Sequence, residues 1–386
     1  MYLKTLHLRF FRNYRDQQVN FDAQKTILVG NNAQGKSNLL ESVELLATLR
    51  SHRTSRDREL VLEGEQTAQI EGYLDRAYGS AELALTLRQQ GRRTVSVNRE
   101  VVRRQLDFLG ILNAVQFSSL DLDLVRGAPE SRRSWLDTLL IQLEPIYAHI
   151  LHQYNHILKQ RNALLKSIYK KNDRDRATPQ LGFSSQALGF DANEQLTLWN
   201  AQLAAAGSRV TRRRARAIAR LAPIAQAWHS SISGKTELLE IKYAPNVTWT
   251  DDRPETVQQA FLDKIASRAI AEQQQGKTVV GTHRDEIEFI INNTPARYYG
   301  SQGQQRTLVL ALKLAELKLI EEVVGEPPLL LLDDVLAELD LNRQHQLLDV
   351  LGDRFQTLIT TTHVNSFDEQ WLKDSQILAV EAGKIK

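Results

Sequence analysis

The chain contains no cysteine. Disulfides and thiolate metal sites are excluded, and a reducing compartment is allowed. Long apolar runs are also missing. None approaches the roughly 20 residues that span a bilayer, so no membrane association is expected. The opening MYLKTLHLRFFRNY alternates apolar and polar residues and has no long apolar core, so no secretory signal is expected. Internal repeats, long low-complexity tracts and zinc-finger, RNA-recognition or helix-turn-helix signatures are all lacking. Excess charge is small, +3 over 386 residues, so any polyanion would have to be met by local placement of cations. Hydrophobic residues make up 42%, enough for a large soluble core.

What is present is patterned in three stretches. Strand-like runs at Leu3–Phe10, Gln18–Phe21 and Thr26–Val29 lead into Gly30, and Ser37–Arg50 has its apolar residues at helical spacing. Residues Thr67–Val97 read as strands with turns at Tyr78-Gly79 and Gln90-Gly91. Near Pro129 the character turns helical. Leu136, Leu140, Leu143, Tyr147, Ile150, Tyr154, Ile157 and Leu164 follow steps of four and three through Arg161, with a break expected at Pro145. Tyr169–Ala192 reads as a loop, and Asn193–Ser230 as a second helical stretch. Strand patterns return at Leu238–Tyr243 and Glu286–Ile291, followed by alternating helix and strand. The simplest organisation is one α/β domain made of both chain ends, residues 1–126 and 236–386, with a helical insertion at 127–235.

Two motifs carry chemistry. Gly30-Asn31-Asn32-Ala33-Gln34-Gly35-Lys36-Ser37 matches G-x-x-x-x-G-K-[ST], after a strand and at the start of a helix. Glycines let successive N–H groups face one anion, and the helix N-terminus adds its dipole. Lys36 is expected to reach the β- and γ-phosphates of ATP, and the Ser37 hydroxyl to bind Mg2+; Asn38 completes the segment. The run Pro327–Leu332 then ends in Asp333-Asp334. Four leucines suit a strand buried on both faces, with its carboxyl end beside the phosphate loop. Asp333 is expected to hold Mg2+ and Asp334 to polarise the attacking water. A helix N-cap after a core strand would look similar, and the phosphate loop decides against it.

Gly300-Ser301-Gln302-Gly303-Gln304-Gln305-Arg306-Thr307 resembles the signature motif of ABC-type ATPases, and Ala337-Glu338-Leu339-Asp340 stands where their D-loop would be. The form SQGQQRT, then ALKLAE and LLLLDDVLAELD, is similar to the RecF family rather than to transporter subunits. LHLRFFRNY, LRSHRTSRDRELV, LVRGAPESRRSWLD and GTHRDE match that family as well. Departures are Thr282 for proline, Glu286 for aspartate, no proline in Phe117–Leu120, and a long segment around 170–189.

The resemblance implies an ABC-type ATPase head, a mixed sheet with helices, carrying an inserted helical second lobe. It implies ATP and Mg2+ as cofactors and a head-to-tail homodimer in which Ser301 and Gly303 face the partner's ATP. Arg12, Arg53 and Thr54 would approach the nucleotide, and Gln116 would occupy the glutamine-loop position near the metal. His363 follows a strand where such ATPases carry a switch histidine. It further implies a cytoplasmic, weakly active, DNA-stimulated ATPase of DNA repair and recombination. Such a protein acts at replication gaps, is linked to the SOS response, and has RecO/RecR-type mediators as partners. A transport ATPase subunit or a chromosome-structural clamp without turnover are the competing classes. For DNA contact the densest cationic run is Arg212-Arg213-Arg214-Ala215-Arg216, with Arg92-Arg93 and Arg103-Arg104 behind it. A solvated helix face is the alternative for that run.

Overall fold

The computed structural model describes residues 1–177, 192–336, 343–344, 346–348, 352–364, 367 and 369–386. The N-terminal strands β1 (Tyr2–Phe11), β2 (Tyr14–Asn20) and β3 (Lys25–Val29) lead to helix α1 (Lys36–Thr48). β4 (Thr67–Arg76), β5 (Gly79–Arg88), β6 (Thr94–Val97) and β7 (Glu100–Val101) join β1 and β2 in an antiparallel sheet of order β2-β1-β4-β5-β6-β7. β3 leaves that sheet. With β8 (Ala114–Ser118), β12 (Leu329–Asp333), β13 (Thr357–Thr361), β14 (Ser375–Glu381) and β15 (Lys384–Ile385) it forms a second sheet, β15-β14-β3-β13-β12-β8. All its pairings are parallel except the terminal β14–β15 hairpin.

Both chain ends therefore build this sheet, as the apolar run before Asp333 predicts. Leu329 to Leu332 are all buried, because helices or strands cover both faces. Helix α1 is wedged between the two sheets, touching β4 and β5 on one side and β8, β12 and β13 on the other. Its Leu39, Leu40, Val43, Leu46 and Ala47 are fully buried. Even Glu41 and Ser42 are buried, so this helix has little solvated face.

The helical part contains α2 (Asp123–Arg126), α3 (Pro129–Leu143), α4 (Ile146–Ala177), α5 (Ala192–Ile232) and α6 (Pro254–Gln275). Pro145 separates α3 from α4, as expected. The expected loop from Tyr169 is instead helix as far as Ala177. Charged residues do not end a helix, and the first proline, Pro179, comes later in the sequence. Residues 178–191, the rest of that segment, lie outside the described residues. The heptad pattern holds: Tyr147, Ile150, Tyr154 and Ile157 are buried, and Arg161 occupies its core position as a cation paired with buried Glu272 at 2.5 Å.

Residues beyond 235 also pack on these helices. α6 lies on α4 and α5, and β9 (Leu239–Ala244) lies on α5 within the sheet β11-β10-β9, where β10 is Glu286–Ile291 and β11 Thr294–Pro295. A short α7 (Ala296–Tyr299) precedes α8 (Gln302–Val324), which runs between α3 and α5 and reaches β8. Among the described residues no helix is long and apolar enough to cross a membrane.

Candidate functional site

The loop from β3 to α1 folds over the end of the parallel sheet. Gly35 sits at φ +119°, and a Cβ there would lie 2.7 Å from the Asn13 amide. A Cβ on Gly30 would lie 2.3 Å from the Val380 carbonyl oxygen, so neighbouring backbone closes on the loop. Asn13 Nδ2 donates to the Gln34 carbonyl at 2.9 Å, and Tyr14 Oη to the Gly35 carbonyl at 2.9 Å. Asn38 Nδ2 donates to Asn13 Oδ1 at 2.8 Å. Residues of the opening FFRNY segment thus brace the loop from behind. Asn31, Asn32 and Ala33 form its turn, with Ala33 at φ +64°. The N-cap residue of α1 is Gly35, which has no side chain to cap the helix, so its first N–H groups can face an anion. Lys36 Nζ lies across the loop, 2.6 Å from the Gly30 carbonyl and 3.0 Å from that of Asn31.

The acidic strand end meets this loop. Ser37 Oγ donates to Asp333 Oδ1 at 2.7 Å, and Thr360 Oγ1 on β13 donates to the same oxygen at 2.8 Å. Asp334 follows at φ +53°, with its N–H donating to Thr360 Oγ1 at 2.9 Å. Burial pushes the half-buried Asp334 carboxyl above the usual range; Lys36 opposes this and Asp333 adds to it. A carboxylate with a raised pKa suits the acceptance of a proton from water.

The other expected residues divide. Arg53 Nη1 reaches Asn38 Oδ1 at 2.7 Å, at the start of α1. Arg12 is committed elsewhere: its guanidinium grips the fully buried Glu41 at 2.7 and 2.9 Å and the Glu59 carbonyl at 2.9 Å. Thr54 bonds Glu59, at 2.5 Å. Arg12 thus ties the segment after α1 to that helix, and Thr54 braces the segment internally. Gln116 pairs with Leu331 on β12, two residues short of the level of Asp333. Its Nε2 lies 3.4 Å from His52 Nε2, and its Oε1 is buried with no hydrogen-bond partner among the described residues. Burial opposes charge on His52, yet Glu44 at 2.7 Å prevails and holds its pKa above the ordinary value. The sequence did not single out Asn13, Glu41, His52 or Thr360; Asn13 and His52 lie in segments that match the family, but all four gain their place only through tertiary packing.

Ser301 caps α8. Its Oγ accepts from Gln304 N at 3.2 Å, and Gln304 Oε1 accepts from Ser301 N at 2.9 Å, a reciprocal capping box. Ser301 is exposed and Gln304 partly buried. The Gly303 carbonyl accepts from Arg343 at 3.3 Å. Gln305 anchors the turn, donating to the Ala296 carbonyl at 3.0 Å and accepting from Arg126 at 2.6 Å. His363 is exposed just beyond β13. Ala337–Asp340 lie outside the described residues.

The run 212–216 is neither free nor merely solvated. Arg212 and Arg216 both pair with Asp252, at 2.8 and 2.6 Å, and Arg213 pairs with Glu144 at 2.6 Å. Arg214 is buried between Asp137 at 2.9 Å and Asp285 at 3.1 Å. Arg93 and Arg104 likewise have carboxylate partners, Asp57 and Asp107.

Residues 2–385 match the family described as RecF/RecN/SMC N terminal domain. Over 386 residues the chain is 73% identical to the DNA replication and repair protein RecF of Gloeothece citriformis (strain PCC 7424), covering 100% of both. It is similar to the solved recombination mediator protein RecF-ATP in the RecFOR pathway, with TM-score 0.87 and 30% identity, covering 100% of this chain and 97% of that one. It shares its fold with the Smc head domain with an extended coiled coil from Pyrococcus furiosus, with TM-score 0.52 and 14% identity, covering 100% and 95%. The chain belongs to the RecF family.

Proposed function

We propose that this chain is a DNA-binding ATPase of recombinational repair and replication-gap processing, in which ATP closes two copies head to tail into a clamp. The observation that carries this reading is the separation of two half-sites. The phosphate loop joins Asp333 through Ser37, while the exposed Ser301 caps the N-terminus of α8 and is hydrogen-bonded only within its reciprocal box with Gln304 among the described residues. Each half would be completed by the other half of a second copy.

The chain's residues have distinct tasks. Gly30 to Ser37 and the uncapped α1 N-terminus bind the β- and γ-phosphates, and Lys36 neutralises them. Asn38 and Arg53 lie at the edge of that cradle. Ser37 and Asp333 offer oxygen ligands suited to Mg2+, and the unpartnered Oε1 of Gln116 is a third candidate. Bound there, Mg2+ would supply charge neutralisation at the phosphates. Asp334 takes the proton of the attacking water. Ser301, Gly303 and the α8 N-terminus meet the γ-phosphate held by the other copy. Hydrolysis removes those contacts, so turnover is slow, serves to open the clamp, and is stimulated by DNA.

The helices α3–α6 with the β9–β11 sheet form the second lobe, which encloses DNA in the closed dimer. Mediators of the RecO/RecR type, a link to the SOS response and a cytoplasmic location complete the reading. Sedimentation with and without ATP and gapped DNA tests it. The expected result is an ATP-dependent dimer, lost in Ser301→Arg while monomer ATP binding stays near normal. A dimer in Ser301→Arg would overturn the head-to-tail arrangement.

A further inference from the structure

The second lobe carries an acid-free cationic stripe that none of the motifs includes. On α4, His149, His152, His156, Lys159, Lys166 and Lys170 are all exposed and recur at steps of three and four, with the small Ala163 filling the one gap in the series. They are therefore neighbours along one helical face. Exposed Lys171 extends it, and Tyr169, 42% exposed, lies between Lys166 and Lys170. Lys277 adds a further exposed cation: a Cβ on its neighbour Gly276 would lie 3.1 Å from the Tyr169 side chain and 3.7 Å from Lys166 Cα. From Ile146 to Asn172 the helix has no acidic residue. Among the described residues neither these lysines nor the three histidines have a carboxylate partner, in contrast to Arg212, Arg213, Arg214 and Arg216, which all do.

We propose that the exposed face of α4 is the surface through which the second lobe grips the phosphate backbone of DNA. The inference rests on the DNA-clamp reading above and assigns its DNA contact to α4 in place of the paired arginines on α5. Charge complementarity selects the occupant. Histidine to Lys170 covers 21 helical steps from residue 149, roughly 32 Å at about 1.5 Å per residue. Duplex DNA presents about one phosphate per 3.4 Å of axis on each strand, so a duplex aligned with the helix carries about nine phosphates per strand over that length, of which those facing α4 are within reach. Lysines supply charge, and the imidazoles supply N–H donors to phosphate oxygens. No base-reading geometry is needed, and binding is sequence-tolerant.

The test uses the full chain and fluorescence anisotropy with duplex DNA across a salt series. In Lys159→Gln/Lys166→Gln/Lys170→Gln the slope of log affinity against log salt should fall by up to about 2.7, at roughly 0.9 per lost contact. Lys159→Arg/Lys166→Arg/Lys170→Arg should keep the wild-type slope, because the charges remain. Arg212→Gln/Arg216→Gln should also leave it near wild type. Thermal melting beside each isotherm establishes that the variants are folded, which surface substitutions of this kind favour. An unchanged slope in the folded glutamine variant, with DNA still bound by wild type, overturns the α4 assignment alone. Failure of the wild-type chain to bind DNA overturns the clamp reading and this inference with it.

Discussion

Replacing Arg214 by alanine should destabilise the protein by about 3–5 kcal/mol, the usual cost of removing one partner from a buried ion pair. The guanidinium is 3% exposed and serves two carboxylates at once. It donates to both oxygens of Asp137, at 2.9 and 3.0 Å, to Asp285 Oδ2 at 3.1 Å, and to the Thr282 carbonyl at 2.7 Å. Its loss leaves Asp137 and Asp285 buried without a cation. The Tyr147 and Tyr243 hydroxyls and Asn246 N still donate to them, which keeps the cost from rising further. Burial already raises the Asp285 carboxyl, while Arg214 holds it down. Without Arg214 its folded pKa rises further above the unfolded value. Stability from such a group is full below the unfolded pKa and is lost as pH rises through the folded one. The deficit of Arg214→Ala should therefore shrink as pH falls from 8 towards 5. Urea unfolding followed by circular dichroism measures both effects. Arg212→Ala, which removes a more exposed pair, is the comparison and should cost about 1 kcal/mol or less. A deficit for Arg214→Ala no larger than that of Arg212→Ala, or one independent of pH, would refute the reasoning.

Lys36→Arg should keep the fold and abolish most hydrolysis, since a planar guanidinium cannot take the place of an ammonium set between the Gly30 and Asn31 carbonyls; wild-type turnover would remove Lys36 from the phosphate site. Asp334→Asn should retain ATP binding, slow hydrolysis and prolong the ATP-bound dimer, because an amide cannot accept the proton; a turnover assay with sedimentation checks both. His283 is held neutral, with burial lowering its pKa to about 4, and Arg284, Arg133 and Arg161 adding to the effect. A lowered histidine contributes stability that is present above its unfolded pKa and lost as pH falls through the folded one. Wild type should thus lose up to about 3 kcal/mol between pH 6.5 and 4 from this group. His283→Asn should show a flatter melting profile over that range, and an identical profile would contradict the assignment.

Legibility in the sequence followed the range of the interactions involved. The phosphate loop, the buried strand ending at Asp333 and the break at Pro145 depend on local pattern, and each is where the residues place it. The α3–α4 heptad was readable for the same reason, although its Arg161 is a core cation whose partner, Glu272, lies far along the chain. The loop expected from Tyr169 is helix to Ala177 because charge clusters do not terminate helices; glycine and proline do. α6 gave no distinct signal, with only Val257, Phe261, Ile265 and Glu272 buried over its 22 residues. Basic density was the least informative signal. Arg212 to Arg216 look like a nucleic-acid patch in one dimension, yet Asp252, Glu144, Asp137 and Asp285 neutralise them in three. Similarly, nothing in the opening FFRNY segment reveals that Arg12 grips Glu41 while Asn13 braces the phosphate loop.

The strand order β14-β3-β13 has a consequence for synthesis on the ribosome. β3 is complete by residue 29, but both strands that flank it, β13 and β14, begin only at residues 357 and 375. At about 5–20 residues per second, the nascent chain spends on the order of 16–66 s with β3 unpaired on both sides. During that interval the phosphate loop has no sheet to project from, and Ser37 has no Asp333 to meet. A nucleotide pocket of this design matures only once residues 357–381 have been made. A truncated product that ends before β12 would contain the complete Gly30–Ser37 motif and still be unable to assemble its site.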